Sequence, residues 1–162
     1  MKTLVLMRHA EPETQKSGST DFMRNLTERG RKDVDSLTNF MRTKEFFPDQ
    51  IVSSPAQRTR NTAEIIASKL SYPVNEIHYE QFLYEFYDKD DIIGLLKNCF
   101  EDKNSVLIVG HNPLIAYLAN ELTGQLNQFP AGKALGIAFQ TESWDIKKGE
   151  IIFSFENSGK GL

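Results

Sequence analysis

The chain has one cysteine, Cys99, among its 162 residues. No intrachain disulfide can form from it and no cysteine-based metal site is available, so a reducing compartment fits. Long apolar runs are lacking as well. None approaches the length of a membrane-spanning helix, and the residues after Met1 enter a strand without a charged leader, an apolar h-region or a small-residue cleavage site. The expectation is a soluble, cytoplasmic protein with no membrane partner. An excess of positive charge is also missing. The 19 Lys and Arg against 22 Asp and Glu leave a net charge of −3, which argues against nucleic acid as the main partner and leaves room only for a local basic pocket. What is present is ordinary for a globular chain, 40% hydrophobic and 25% charged residues. The length suits a single domain over 1–162, with a core that needs no staples.

Three stretches carry chemistry. Leu4-Val5-Leu6-Met7-Arg8-His9-Ala10 is an apolar run that ends on a guanidinium and an imidazole. It reads as a buried strand, because a half-exposed strand would alternate with polar residues. In an open α/β sheet ligands bind beyond the carboxyl ends of the strands, which is where Arg8 and His9 would sit. Gln50 to Ser53 reads as a second strand, with Ser54 as N-cap and Pro55 as first helical residue of the helix that follows. Arg58 then lies in the first helical turn, where an anion is attracted. Arg58 and Arg60 are about 200° apart at roughly 100° per residue, so only one can face a pocket, and Arg60 suits a solvated face. Ser105 to Pro113 repeats the logic of the first stretch. An apolar strand ends on Gly110-His111, with Asn112 as cap and Pro113 opening a helix.

The remaining segments read more plainly. Glu11 to Asn25 is a loop; a helix starts after the cap Thr27 and carries Val34, Leu37, Phe40 and Met41 at helical spacing. Val74 to Tyr79 is expected as a strand containing His78, to which no chemistry is assigned. The aromatic run Phe82 to Tyr87 packs or lines a pocket. Asp88 or Asp90 caps a helix reaching about Phe100, with Cys99 as a small buried filler. Ala134 to Thr141 and Glu150 to Phe155 are expected to pair antiparallel, and the chain ends in a tail from Asn157. The alternation predicts a three-layer α/β/α sandwich with a mainly parallel central sheet and an antiparallel C-terminal strand pair. Its carboxyl edge would gather Arg8, His9, Arg58 and His111. Two imidazoles and two guanidiniums, with no carboxylate and cysteine cluster for a metal, suit a doubly charged tetrahedral anion, most simply a phosphoryl group.

Met7-Arg8-His9-Ala10, Leu26-Thr27-Glu28-Arg29-Gly30, Ser53 to Arg60 with Thr62-Ala63-Glu64, and Val109 to Pro113 resemble the motifs of the histidine phosphatase superfamily, and most of all its SixA-type phosphohistidine phosphatases. The resemblance implies the phosphoglycerate mutase-like fold and a two-step phosphoryl transfer with no cofactor and no metal. His9 would attack phosphorus, with Arg8, Arg58 and His111 clamping the phosphoryl oxygens. Arg24, in Asp21-Phe22-Met23-Arg24, matches a further arginine that this branch brings into the pocket. The general acid stays open: Glu85 is the nearest match, Glu80 a weaker one, and a phosphohistidine leaving group needs little help because its far nitrogen can take a proton. The substrate would be a phosphorylated protein, such as a histidine-containing phosphotransfer domain, met by a monomer through an open site rimmed by the 11–25 loop. Competing expectations are a small-molecule phosphatase, a mutase-like transferase, and an inactive module that binds phosphoproteins.

Overall fold

The computed structural model describes residues 1–85 and 88–157. Phe86 and Tyr87 of the aromatic run, and the tail beyond Asn157, lie outside the described residues. Six strands form one sheet in the order β3-β2-β4-β1-β5-β6. They are β1 (Lys2–Arg8), β2 (Gln50–Ser53), β3 (His78–Tyr79), β4 (Ser105–Gly110), β5 (Ala134–Phe139) and β6 (Glu150–Phe155). The pairs β2–β3, β2–β4 and β1–β4 are parallel. β5 runs antiparallel to both of its neighbours, β1 and β6. The helices are α1 (Glu28–Thr43), α2 (Gln57–Lys69), α3 (Lys89–Cys99) and α4 (Leu114–Thr123).

The continuous apolar strands are explained by two cores, one on each face of the sheet. Leu4, Leu6, Val52, Val106 and Ile108 pack with α3 and α4 through Ile92, Leu96, Ile115 and Leu118. Their alternates Val5, Met7, Ile51, Leu107 and Val109 pack with α1 and α2 through Val34, Leu37, Ala63 and Ile66. A strand covered on both sides has no solvent face on which to place polar residues.

The chain leaves β1 for α1 on one face and leaves β4 for α4 on the other. The crevice between the carboxyl ends of β1 and β4 is therefore the point at which the winding reverses, the usual ligand position in an open α/β sheet.

Several local expectations need correction. α2 starts at Gln57 with Ala56 as N-cap, and α4 at Leu114 with Pro113 as N-cap, so neither Ser54 nor Asn112 is a helix cap. Both side chains are engaged elsewhere, as described below. Val74 to Tyr79 is not one strand. Residues Val74–Glu76 form a turn of 3-10 helix, held because the Glu76 carbonyl accepts from the Gln50 amide and the Tyr72 hydroxyl, both at 3.1 Å. Cys99 is exposed rather than buried, since α3 ends there and the larger Phe100 fills the corner against the core. Two expected caps do hold: Thr27 Oγ1 accepts from the Gly30 amide at 2.9 Å, and Asp88 forms a reciprocal capping box with Asp91.

Candidate active site

Arg8 ends β1 and His9 follows it. The His9 amide donates to the Gly110 carbonyl at 3.1 Å, which fixes the backbone beside the end of β4. The Ala10 amide donates to Thr62 Oγ1 at 3.2 Å, and that hydroxyl donates to the Arg58 carbonyl at 2.8 Å. One threonine of α2 thus ties the histidine segment to the arginine helix. Arg58 is in the first turn of α2, and His111 opens the three-residue junction between β4 and α4.

These junctions bring three of the expected residues into one buried cluster, with His9, Arg58 and His111 only 3%, 6% and 9% exposed. His9 Nδ1 lies 2.7 Å from the Ala10 carbonyl. A carbonyl only accepts, so Nδ1 carries the proton and Nε2 the lone pair. The same assignment follows from Arg58, whose Nε–H donates to His9 Nε2 at 3.3 Å. The His9 and His111 rings lie with centroids 5.2 Å apart. His111 Nε2 is 2.8 Å from Ser54 Oγ, which is where the residue expected as a cap is used. Its Nδ1 is buried with no protein partner among the described residues.

The charge state follows from burial. Desolvation pulls the His9 pKa down to about 3; the Ala10 bond opposes this, while His111, Arg58 and Arg8 add to it. Desolvation also lowers His111, to about 4, assisted chiefly by Arg58. Both imidazoles are neutral at neutral pH, and the lone pair on His9 Nε2 is available. Arg8 is half-buried; its Nη1 donates to the Phe129 carbonyl at 3.1 Å and its Nε is a buried donor with no partner among the described residues. The Asn112 amide donates to that same Phe129 carbonyl at 2.9 Å. Burial, then the charges of Arg58 and Arg24, lower the Arg8 pKa.

Arg24 is close enough for its charge to act on both Arg8 and His111. It is held by Asp21, with Nε–Oδ1 at 3.0 Å and Nη2–Oδ1 at 2.9 Å. Asp21 also engages Arg58, through its carbonyl on Nη1 at 2.8 Å and Oδ2 on Nη2 at 3.0 Å, and Oδ2 accepts from the Tyr84 hydroxyl at 2.8 Å. Burial raises the Asp21 carboxyl, but the Tyr84, Arg58 and Arg24 bonds outweigh it and bring it to about 2.

Glu85 lines a small cleft with Tyr84, His111 and Asn112. Glu80 faces elsewhere, its Oε1 3.0 Å from His78 Nε2. Arg60 stacks on the Tyr79 ring at 3.9 Å. The partners that sequence reasoning missed are Tyr84, Ser54 as a histidine partner, and the Phe129 carbonyl. Asp21 had a signal in its spacing to Arg24; Phe129, in a distant loop, had none.

The arrangement can present an imidazole lone pair to an electrophile whose negative oxygens face guanidinium and imidazole donors. Among the described residues no group of three or more His, Cys, Asp or Glu could hold a metal ion, and no helix is long and apolar enough to cross a membrane.

Residues 4–86 match the family model of the histidine phosphatase superfamily, branch 1. An uncharacterized protein of Mycobacterium leprae is 29% identical over 138 residues, 83% of this chain and 82% of that one. Among solved structures, the protein histidine phosphatase SixA complexed with tungstate aligns over 94% of this chain and 95% of its own, with TM-score 0.81 and 22% identity. A protein from Nakamurella multipartitia, named as a candidate phosphohistidine phosphatase SixA, aligns over 97% and 96% with TM-score 0.80 and 24% identity. A mycobacterial glucosyl-3-phosphoglycerate phosphatase aligns over 93% and 97% at TM-score 0.67 and 14% identity. At these identities the structural likenesses establish the fold, a phosphoglycerate mutase-like α/β architecture.

Proposed function

The chain belongs to the histidine phosphatase superfamily, branch 1, and on that premise we propose that it is a phosphohistidine phosphatase, taking a phosphoryl group from a protein histidine onto His9 and releasing it to water. The observation that carries this reading is the His9 imidazole, neutral, with Nε2 lone-paired and facing the Arg58 guanidinium. In the first step Nε2 attacks phosphorus as the substrate's P–N bond breaks; the electron pair stays on the leaving imidazole, whose other nitrogen can be protonated near neutral pH. In the second step water attacks phosphorus as the bond to His9 breaks; the electron pair returns to Nε2 and the water's protons leave on the product, giving dihydrogen phosphate and the neutral imidazole. Arg8, Arg24, Arg58 and His111 hold the phosphoryl oxygens and offset the charge of the transition state. Arg8 Nε and His111 Nδ1, buried and without protein partners among the described residues, are suitable atoms for this.

A macromolecular substrate is favoured by a groove of about 750 Å³ that begins at Asn112, next to His111, and runs past Gln128, Phe129 and Lys133. That volume takes a few side chains of a partner's surface beside the phosphorylated residue. The reading takes residues 1–162 as one catalytic domain acting in the cytoplasm.

The test is phosphate release, in EDTA, from a phosphohistidine-bearing protein and from an aryl phosphate. Release from both is expected, faster from the protein, and lost in His9→Ala. Activity that survives the substitution, or that EDTA abolishes, overturns the mechanism. Glu85 is assigned as proton donor to poorer leaving groups: Glu85→Gln should slow the aryl phosphate about tenfold or more while changing phosphohistidine turnover much less. Equal losses on both substrates would remove Glu85 from that role.

A further inference from the structure

Two turns far apart in sequence meet over the arginines, and no motif accounts for their contact. The Asp21–Met23 turn comes from the loop after β1, and Tyr84 closes the Gln81–Leu83 turn after β3. Their contacts are the 2.8 Å bond from the Tyr84 hydroxyl to Asp21 Oδ2 and an edge-on packing of Phe22 and Tyr84, with centroids 5.1 Å apart. The Tyr84 ring also meets His111 edge-on, with centroids 5.4 Å apart.

We propose that Tyr84 is a positioning residue for phosphoryl binding: it fixes the Asp21 carboxylate, and Asp21 in turn aims Arg58 and Arg24. The geometry of Arg58 supports this. Asp21 takes the outer edge of the guanidinium with two acceptors, its own carbonyl on Nη1 and Oδ2 on Nη2, which turns the Nε edge toward His9 Nε2. A planar fork gripped along one edge can rotate very little, so its remaining donors are pre-aimed at an anion on His9. Arg24 is gripped by the other carboxylate oxygen. Each Asp21 oxygen therefore aims one arginine. Besides Arg24 on Oδ1 and Arg58 on Oδ2, the Tyr84 hydroxyl supplies a third hold, on Oδ2, that limits the turning of the carboxylate about its own side-chain bonds. Burial and the adjacent Asp21 charge raise the Tyr84 pKa, so the hydroxyl serves as a fixed hydrogen-bond donor.

This inference rests on the reading of His9, Arg8, Arg58 and His111 as a phosphoryl site, and one experiment separates the two. Tungstate binding is measured by calorimetry for the wild type, Tyr84→Phe, Asp21→Asn and the double variant, with thermal midpoints alongside. Failure of the wild type to bind tungstate would defeat the site reading itself. If it binds, Tyr84→Phe, which keeps both ring contacts, is expected to raise the dissociation constant about threefold to tenfold with an unchanged thermal midpoint, the scale of one ordinary hydrogen bond acting at one remove. The KM for an aryl phosphate should rise in parallel, with kcat changed less. Asp21→Asn is expected to weaken tungstate about tenfold or more, and adding Tyr84→Phe to it should cost clearly less than Tyr84→Phe does alone, because the tyrosine acts mainly through the carboxylate, its direct interaction with Arg58 being the remainder. A dissociation constant for Tyr84→Phe within twofold of the wild type, tighter binding, or additive losses in the double variant would each overturn the proposal. Should Asp21→Asn fail to fold, the Tyr84→Phe result decides alone.

Discussion

At His9 desolvation does more than the neighbouring guanidinium groups to keep the imidazole neutral, and this has a consequence for stability as well as for nucleophilicity. His9 and His111 titrate at about 3 and about 4 in the folded chain, against 6.5 for an ordinary histidine. Between about pH 7 and pH 5 the unfolded chain takes up protons at both and the folded chain does not, so stability falls as pH falls, by about 2 kcal/mol for each histidine at pH 5. Asp21, held at about 2, gives up its contribution only at lower pH and stays outside this window. Thermal midpoints should therefore decline from about pH 7 to pH 5, and less steeply in His9→Asn, which removes one of the two groups. An equally steep decline in the variant would assign the effect to other residues. Arg8, His9, Arg58 and His111 were legible in the sequence because each stands where an apolar strand run stops or a helix begins. Tyr84 was not, because its contact with Asp21 depends on how two irregular segments fold against each other, and neither has a period that sequence can report.

Among the elements, the junctions were read less well than the strands and helices they join. Ser54-Pro55 and Asn112-Pro113 have the composition of helix starts, yet α2 begins two residues after Pro55 and α4 one residue after Pro113. Propensity cannot tell a polar side chain that caps a helix from one that serves a site, since the same hydrogen-bonding ability suits both. Ser54 goes to His111 and Asn112 to the Phe129 carbonyl. The start of α1 follows its local signals closely, and Gly30 there has a steric role. A Cβ at Gly30 would lie 2.5 Å from the Glu11 carbonyl oxygen and 3.0 Å from its amide nitrogen. That carbonyl accepts from the Thr27 amide at 3.0 Å, so the two backbones are tied where they are closest. Gly30→Ala is expected to destabilise by about 1–3 kcal/mol, the usual cost of forcing an added group into a packed contact. An unchanged thermal midpoint would mean that the Glu11 backbone yields freely.

Across the whole molecule, the sheet order was not legible although the elements were. Which strand lies beside which is decided by pairings between residues separated by tens of positions, and only the parallel core and the antiparallel end followed from element alternation. The order found puts the groove at Asn112 and Lys133 beside the candidate site at His111. If a protein domain lies there, Lys133→Glu should raise KM about threefold to tenfold more for a phosphohistidine-bearing protein than for an aryl phosphate, since a charge at the rim of a contact is felt only by a partner that reaches it. Equal effects on the two substrates would take the groove out of substrate recognition.

β1, which carries Arg8, is hydrogen-bonded on one side to Ser105–Gly110 and on the other to Ala134–Phe139. During translation it leaves the ribosome before either neighbour, and its partners in both pairings emerge about a hundred or more positions of growth later. Until then a strand with a continuous apolar run has two unpaired edges, the condition in which nascent chains are most exposed to sticking to one another. His9 is thus made about a hundred positions before the end of β4 that it bonds to, and an incomplete chain carries it without the surroundings of the candidate site.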